Sequence, residues 1–295
     1  MAVLGGERVE RVERKSVACL GPKGFHRMSY VEWGAHHRRT AVCVHGLTRH
    51  GRDFDDLAQT LSDTWRVVCP DVVGRGESDW LADAEGYAYP QYAADMNALI
   101  ARLDVPAVDW IGTSMGGLIG MTFAAGAGAP VRRMVLNDIG PFLPRAALDR
   151  IAAYVGTDFR FPDFDAALDH VKKGYAPFGP LTKAQWRTLA RNSVVKDNGG
   201  YRLHYDPKIA VNVRKATGFD IVLWNVWEQV RCPVLVLRGG TSDLLLAETA
   251  NEMVRRGKLG RGPATEVIEI PEAGHAPALM DAAQIAIIRD WLEAG

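Results

Sequence analysis

Val108-Asp109-Trp110-Ile111-Gly112 runs into Thr113-Ser114-Met115-Gly116-Gly117 and then into the apolar, small-residue segment Leu118 to Ala125. The first five residues read as a buried strand and the last segment as a helix, so Ser114 stands on a sharp strand-to-helix turn. That turn lifts a serine oxygen clear of a sheet, and the flanking Gly112 and Gly116 are required because side chains there would collide across it. At average glycine frequency a chain of this length with seven serines contains about 0.07 such patterns by chance, so Ser114 is read as a nucleophile. A helix starting at Ser114 directs its unpaired N–H groups toward the same point. Met115 therefore matters for its backbone N–H.

The same alternation extends in both directions along the chain. Thr40 to His45, Trp65 to Pro70, Arg133 to Asn137, Val234 to Arg238 and Glu266 to Ile270 are short β-branched runs, separated by segments of helical period. Tyr92, Met96, Leu99, Ile100 and Leu103 share one helical face, as do Ile285, Ile288 and Leu292. Two earlier segments, Val12 to Leu20 and His26 to Trp33, are expected to pair as an antiparallel opening. The pattern predicts an α/β fold, a mainly parallel eight-stranded sheet with helices on both faces. Residues 142–228 break the alternation with helix-like, aromatic-containing segments and are expected to form an inserted helical cap. The core is then 1–141 with 229–295.

Open α/β sheets build their sites beyond the carboxyl ends of their strands. His275, in Pro271-Glu272-Ala273-Gly274-His275-Ala276-Pro277 after the last strand, is placed there, and neutral imidazole accepts a serine proton near pH 7. Asp243, after the strand Val234 to Arg238, is the leading candidate to hold the other ring nitrogen. Asp138, just past Asn137, is the alternative from the neighbouring strand end. Asp71, ahead of Gly74-Arg75-Gly76-Glu77-Ser78, reads as a loop organiser. His45-Gly46-Leu47-Thr48 ends an early strand with a glycine that lets the Leu47 N–H turn inward, so Leu47 and Met115 are the expected oxyanion donors. Phe142, Trp186 and Trp224 are the candidate aromatic wall of a substrate pocket.

Composition narrows the class. Thirty-five basic residues balance thirty-five acidic ones, so no net field favours nucleic acid or an anionic membrane. No apolar run of about 18 residues exists for a membrane span. The opening Met1 to Lys15 mixes charges and lacks a secretory signal's apolar stretch, giving a cytoplasmic expectation. Cys19, Cys43, Cys69 and Cys232 sit among apolar neighbours without metal-ligand spacing and are expected as buried free thiols. No residue pattern calls for a metal or organic cofactor.

Taken together, His45-Gly46-Leu47, Asp71 with Gly74-Arg75-Gly76-Glu77-Ser78, Gly112-Thr113-Ser114-Met115-Gly116, Asp243 and Gly274-His275 resemble the α/β-hydrolase superfamily over nearly the whole chain. The likeness is greatest to its capped bacterial esterase, lactonase and haloperoxidase-like branch. That resemblance implies an α/β-hydrolase fold and hydrolysis of a small-molecule carboxylic ester through an acyl-enzyme, with Ser114, Asp243 and His275 as triad. Serine at the nucleophile position argues against haloalkane dehalogenases and epoxide hydrolases, which carry aspartate there. Leu47-Thr48, Thr113 and Ala276 depart from the carbon–carbon hydrolase pattern, leaving a carbon–carbon or lactone hydrolase as the alternative. A non-catalytic ligand-binding protein of the same fold is more remote, because binding needs no base.

Overall fold

The structure, a computed structural model, describes residues 12–295. Most of the charged opening segment, residues 1–11, lies outside the described residues. The central sheet contains β1 (Glu13–Gly21), β2 (Gly24–Trp33), β3 (Thr40–Val44), β4 (Arg66–Pro70), β5 (Val108–Thr113) and β6 (Val131–Asn137). After an insertion carrying the short strands β7 (Phe142–Leu143), β8 (Arg160–Phe161), β9 (Val194–Asp197), β10 (Gly200–Leu203) and β11 (Ile221–Val222), it is completed by β12 (Val234–Gly239) and β13 (Thr265–Ile270). The order across its eight strands is β1-β2-β4-β3-β5-β6-β12-β13. β1 pairs antiparallel with β2 and β2 with β4, and every later neighbour is parallel.

Strands in the middle of such a sheet are covered on both faces and read as continuous apolar runs. β3 and β12 are buried at every residue. Alternate side chains nonetheless serve different cores. Val42, Val44, Val234 and Val236 join Tyr92, Met96 and Leu99 of α2 (Tyr89–Leu103, following α1, Asp55–Leu61) and Ile119 of α3 (Met115–Ala124). Ala41, Cys43, Leu235 and Leu237 face the other way, against Leu57 and Leu61 of α1 and against Ile285, Ile288 and Leu292 near the C-terminus. The two helical faces read from sequence are thus buried on opposite sides of one sheet. All four cysteines are buried and free.

The insertion between β6 and β12 holds α4 (Arg145–Tyr154), α5 (Phe164–Gly174), α6 (Lys183–Ser193), α7 (Ala210–Lys215) and α8 (Trp224–Trp227). Two further helices, α9 (Ala247–Lys258) and α10 (Ala282–Glu293), follow β12 and β13. The insertion is not purely helical. β7 pairs with β11 at its neck, and β8, β10 and β9 make a small antiparallel sheet. Asn198-Gly199, both at positive φ (43° and 83°), close the β9–β10 hairpin. Asn-Gly between short strands is a strong hairpin signal, and the four-residue strands beside it were too brief to register as β runs.

Candidate active site

The elbow is built as its glycines require. Ser114 sits at φ 51° and ψ −114°, in a region where non-glycine residues are uncommon and usually functional. A Cβ on Gly116 would lie 1.9 Å from the Val44 carbonyl oxygen, and one on Gly112 would lie 2.5 Å from the Gly116 carbonyl oxygen and the Gly117 nitrogen. Only bare backbone lets α3 start this close to β3 and β5. The Ser114 N–H donates to Asn137 O at 3.0 Å, carrying the β5–β6 ladder up to the nucleophile.

Ser114 Oγ lies 2.8 Å from His275 Nε2, and His275 Nδ1 lies 2.7 Å from Asp138 Oδ2. An ionised carboxylate only accepts, so Nδ1 carries the proton and Nε2 presents its lone pair to the serine O–H. Asp138 is fully buried. Its Oδ1 accepts from the Gly239 N–H at 2.7 Å and its Oδ2 also accepts from the Ser242 hydroxyl at 2.5 Å. The histidine's loop is fixed from two sides. Asn137 Nδ2 donates to Pro277 O at 2.8 Å, and the Gly274 N–H donates to Pro177 O of the insertion at 2.7 Å.

The partner of His275 is therefore Asp138 and not Asp243. Asp243 is half exposed and makes a bidentate pair with Arg150 of α4, at 2.6 and 2.8 Å. The physical reason lies in two local turns. Asp138 takes the left-handed conformation, φ 54°, which an aspartate tolerates and which turns its carboxylate over the end of β12. The loop after β12 then directs Ser242 inward, onto Asp138, and the next residue outward.

The oxyanion loop stands beside the nucleophile, where a Cβ on Gly46 would be 3.8 Å from Ser114 Cβ. Among the described residues, neither the Leu47 nor the Met115 N–H donates to a protein acceptor, which leaves both available to a ligand. His45 is buried, with Nε2 accepting from the Val72 N–H at 2.9 Å and Nδ1 lying 2.7 Å from Gly46 O. Burial, aided by the nearby Arg75 charge and opposed by the Gly46 hydrogen bond, pulls its pKa down to about 3. It is a neutral peg for the loop. Asp71 is the loop organiser expected, accepting from the Gly51 N–H at 2.8 Å and the Glu77 N–H at 2.9 Å. Its burial raises its pKa to about 6.

Ser114, His275, Leu47 and Met115 open into a cavity of about 630 Å³ lined mostly by apolar atoms, within the range of small-molecule sites. None of the three expected aromatics lines it. Phe142 pairs with Val222 in the β7–β11 neck, Trp186 packs into a small cluster with Leu168, Val171 and Leu189, and Trp224 lies against the main core with the Arg256 guanidinium 4.2 Å from its ring centre. The cavity's aromatic lining includes Tyr87, Tyr89, Tyr92, Tyr154, Tyr175 and Phe178. Tyr87 precedes α2 and Tyr89 opens it, and neither carries a signal separating it from an ordinary surface tyrosine.

Among the described residues one group of possible metal ligands, Cys19, His26 and Asp95, has ligand atoms within 4.8 Å of one another. Asp95 already accepts from His26 Nε2 at 2.9 Å and from Gln91 Nε2 at 2.7 Å, and none of the three lines the cavity. No helix among the described residues is long and apolar enough to cross a membrane.

Comparison with known proteins places the fold in a family. The chain is 50% identical over 282 residues to a 3-hydroxybutyrate-oligomer hydrolase of Cupriavidus necator, covering 92% of this chain and 94% of that one. It is 27% identical over 275 residues to an esterase of Mycobacterium tuberculosis, covering 91% and 83%. The crystal structure of an alpha/beta hydrolase from Novosphingobium aromaticivorans superposes with a TM-score of 0.85 at 34% identity, covering 97% of this chain and all of that one. The profile of the alpha/beta hydrolase family matches residues 41–287. With a strand-to-helix turn at Ser114, a mainly parallel eight-stranded sheet, a family profile over most of the chain and a relative sharing half of its residues, the chain belongs to the alpha/beta hydrolase family.

Proposed function

We propose that the protein is a serine esterase that hydrolyses short linear oligomers of 3-hydroxybutyrate through an acyl-enzyme. The observation that carries the reaction type is the unbroken hydrogen-bonded chain Ser114–His275–Asp138 opening onto an apolar cavity. The substrate class is supported by the relative that shares half of its residues over nearly its whole length. An oligomer of this kind is a chain of ester bonds separated by three-carbon apolar spacers, which suits a cavity rich in aliphatic and aromatic carbon.

In this reading His275 Nε2 takes the Ser114 proton as Oγ bonds to the ester carbonyl carbon, and the carbonyl oxygen becomes an oxyanion held by the Leu47 and Met115 N–H groups. Asp138 stabilises the imidazolium and remains ionised. Collapse of the tetrahedral intermediate breaks the bond to the alcohol oxygen, which leaves with the His275 proton. Water, deprotonated by the same nitrogen, attacks the acyl-enzyme and releases the acid and Ser114. The insertion acts as a cap in this scheme, because Leu143, Leu148, Ile151 and Tyr175 contribute its side of the cavity. The buried free thiols fit a reducing, cytoplasmic compartment.

The test is hydrolysis of 3-hydroxybutyrate dimer and trimer beside p-nitrophenyl butyrate, with Ser114→Ala as control. Release of monomer by the wild type and its loss in the variant are expected. A wild type inert toward every ester, with Ser114 still labelled by a fluorophosphonate, refutes the esterase reading and points to the carbon–carbon or lactone alternative.

A further inference from the structure

Arg75 is one of the buried charged residues that the proposed mechanism leaves unused. It is fully buried and does not line the cavity; it lies directly behind the cavity's wall. Gly76 beside it has φ +53°, and a Cβ there would fall 2.4 Å from the Asp71 carboxylate, so the loop that Asp71 organises drives the Arg75 side chain inward. Its Nε donates to the Leu47 carbonyl at 2.9 Å. One terminal nitrogen donates to Val73 O at 2.8 Å and to the Tyr92 hydroxyl at 3.0 Å, and the other lies 3.5 Å from Met115 Sδ. One guanidinium thus touches both residues proposed as oxyanion donors.

Every one of those contacts is neutral. Among the described residues no carboxylate lies within ion-pairing distance of Arg75, and Asp206 joins the network one step further out, as acceptor from the Tyr87 hydroxyl at 2.6 Å. An unpaired buried cation is an expensive way to fill space. A low-dielectric setting also makes its field reach further than it would in water, and that field is felt at His45, where it works against the imidazolium.

We propose that Arg75 is a positioning residue of the oxyanion hole: it fixes the Leu47 and Met115 segments from behind and keeps a desolvated positive charge beneath the developing oxyanion. The inference rests on the serine-hydrolase reading above. Loss of a single oxyanion donor lowers kcat by about 10²–10³. Arg75 acts through two such donors without being one, and its removal is expected to lower kcat about tenfold to a hundredfold with KM within about threefold.

The experiment compares wild type, Arg75→Met, Arg75→Lys and Tyr92→Phe by three readouts at a temperature well below each Tm. These are kcat and KM on p-nitrophenyl butyrate, the inhibition constant of an alkylboronic acid that forms a tetrahedral serine adduct, and the second-order rate of fluorophosphonate labelling at Ser114. The expected result is a fall in kcat, boronate affinity and labelling rate in the same proportion for Arg75→Met, with partial recovery in Arg75→Lys. If Arg75→Met does not fold, Arg75→Lys and Tyr92→Phe decide, both being expected to lower kcat severalfold and leave KM near the wild-type value. A lower Tm with unchanged kcat and labelling rate in the folded variants overturns the inference and leaves the esterase reading intact. A wild type that fluorophosphonate does not label overturns both.

Discussion

Replacing Asp138 by asparagine removes one charge and reverses the two hydrogen bonds received at Oδ2, at the centre of the site. In the native arrangement Asp138 Oδ2 accepts from His275 Nδ1 and from Ser242 Oγ, while Oδ1 accepts from the Gly239 N–H. The backbone amide cannot become an acceptor, so the asparagine carbonyl oxygen stays on Gly239 and the NH₂ is turned toward His275 and Ser242. That NH₂ can only donate. His275 then accepts at Nδ1, carries its proton on Nε2 and directs an N–H at Ser114 Oγ, where it has no lone pair to receive the serine proton. The corresponding change in a serine protease, which the wrong-tautomer argument was built on, lowers kcat about 10⁴-fold. A loss of about 10³–10⁴ is expected here, about 4–5.5 kcal/mol of transition-state stabilisation. Asp243→Asn removes an exposed pair with Arg150, of a kind that contributes about 0–1 kcal/mol, and kcat is expected to stay within about twofold of wild type. The assay is initial-rate hydrolysis of p-nitrophenyl butyrate, with circular dichroism to verify folding. Retention of a tenth or more of the activity in folded Asp138→Asn, or a collapse of activity in Asp243→Asn, refutes this assignment of the acid.

Three further outcomes are expected. Gly116→Ala drives a Cβ to within 1.9 Å of the Val44 carbonyl oxygen, which is backbone and cannot rotate away, so a destabilisation of about 3 kcal/mol in urea titration is expected together with loss of activity; wild-type stability would show that β3 and α3 separate without penalty. His45 has its pKa lowered to about 3 in the folded chain against about 6.5 unfolded, so its contribution is complete above pH 6.5 and is lost as pH falls toward 3. Urea titrations from pH 7 to 5 should find the stability gap between wild type and His45→Gln narrowing, at a slope that approaches about 1.4 kcal/mol per pH unit, and a constant gap contradicts the neutral-peg role. Leu148→Trp fills part of the cavity wall that α4 provides. Dimer hydrolysis is expected to change less than about threefold and trimer hydrolysis to fall about tenfold, as measured by monomer release; equal losses on both place Leu148 away from the chain-length boundary.

The meeting of Ser114 and His275 was legible because each is tied to a local signal: glycines that the turn cannot do without, and a histidine after the final strand. The carboxylate that pairs with His275 was not. Asp138 follows β6 directly and Asp243 lies in the loop after the neighbouring parallel strand β12, so both stand beyond strand carboxyl ends, and what separates them is a single left-handed residue and the way a short loop directs Ser242 and Asp243, neither of which has a periodic signature. The sheet strands emerged with ends correct to about two residues; in the middle of the sheet burial on both faces makes dense apolar runs of β3 and β12, while the edge strands β1 and β13, partly exposed, were marked by alternation and β-branched residues. The insertion was harder for the opposite reason. Its apolar faces divide between its own small clusters, the main core and the cavity, and amphipathic spacing marks a buried face without saying which of the three buries it. Trp186 and Trp224 were therefore assigned to the wrong one.

A carboxylate partner for His275 just past β6 separates two neighbouring positions that would otherwise be bound to one task. Ser242 is held by its bond to Asp138, whereas Asp243 pairs with Arg150 of the insertion. A variant library at 242 samples mostly damaged chemistry. At 243 and its partner 150 the same effort varies the α4 side of the cavity, where Arg150 is a lining residue, without altering a hydrogen bond of Ser114, His275 or Asp138.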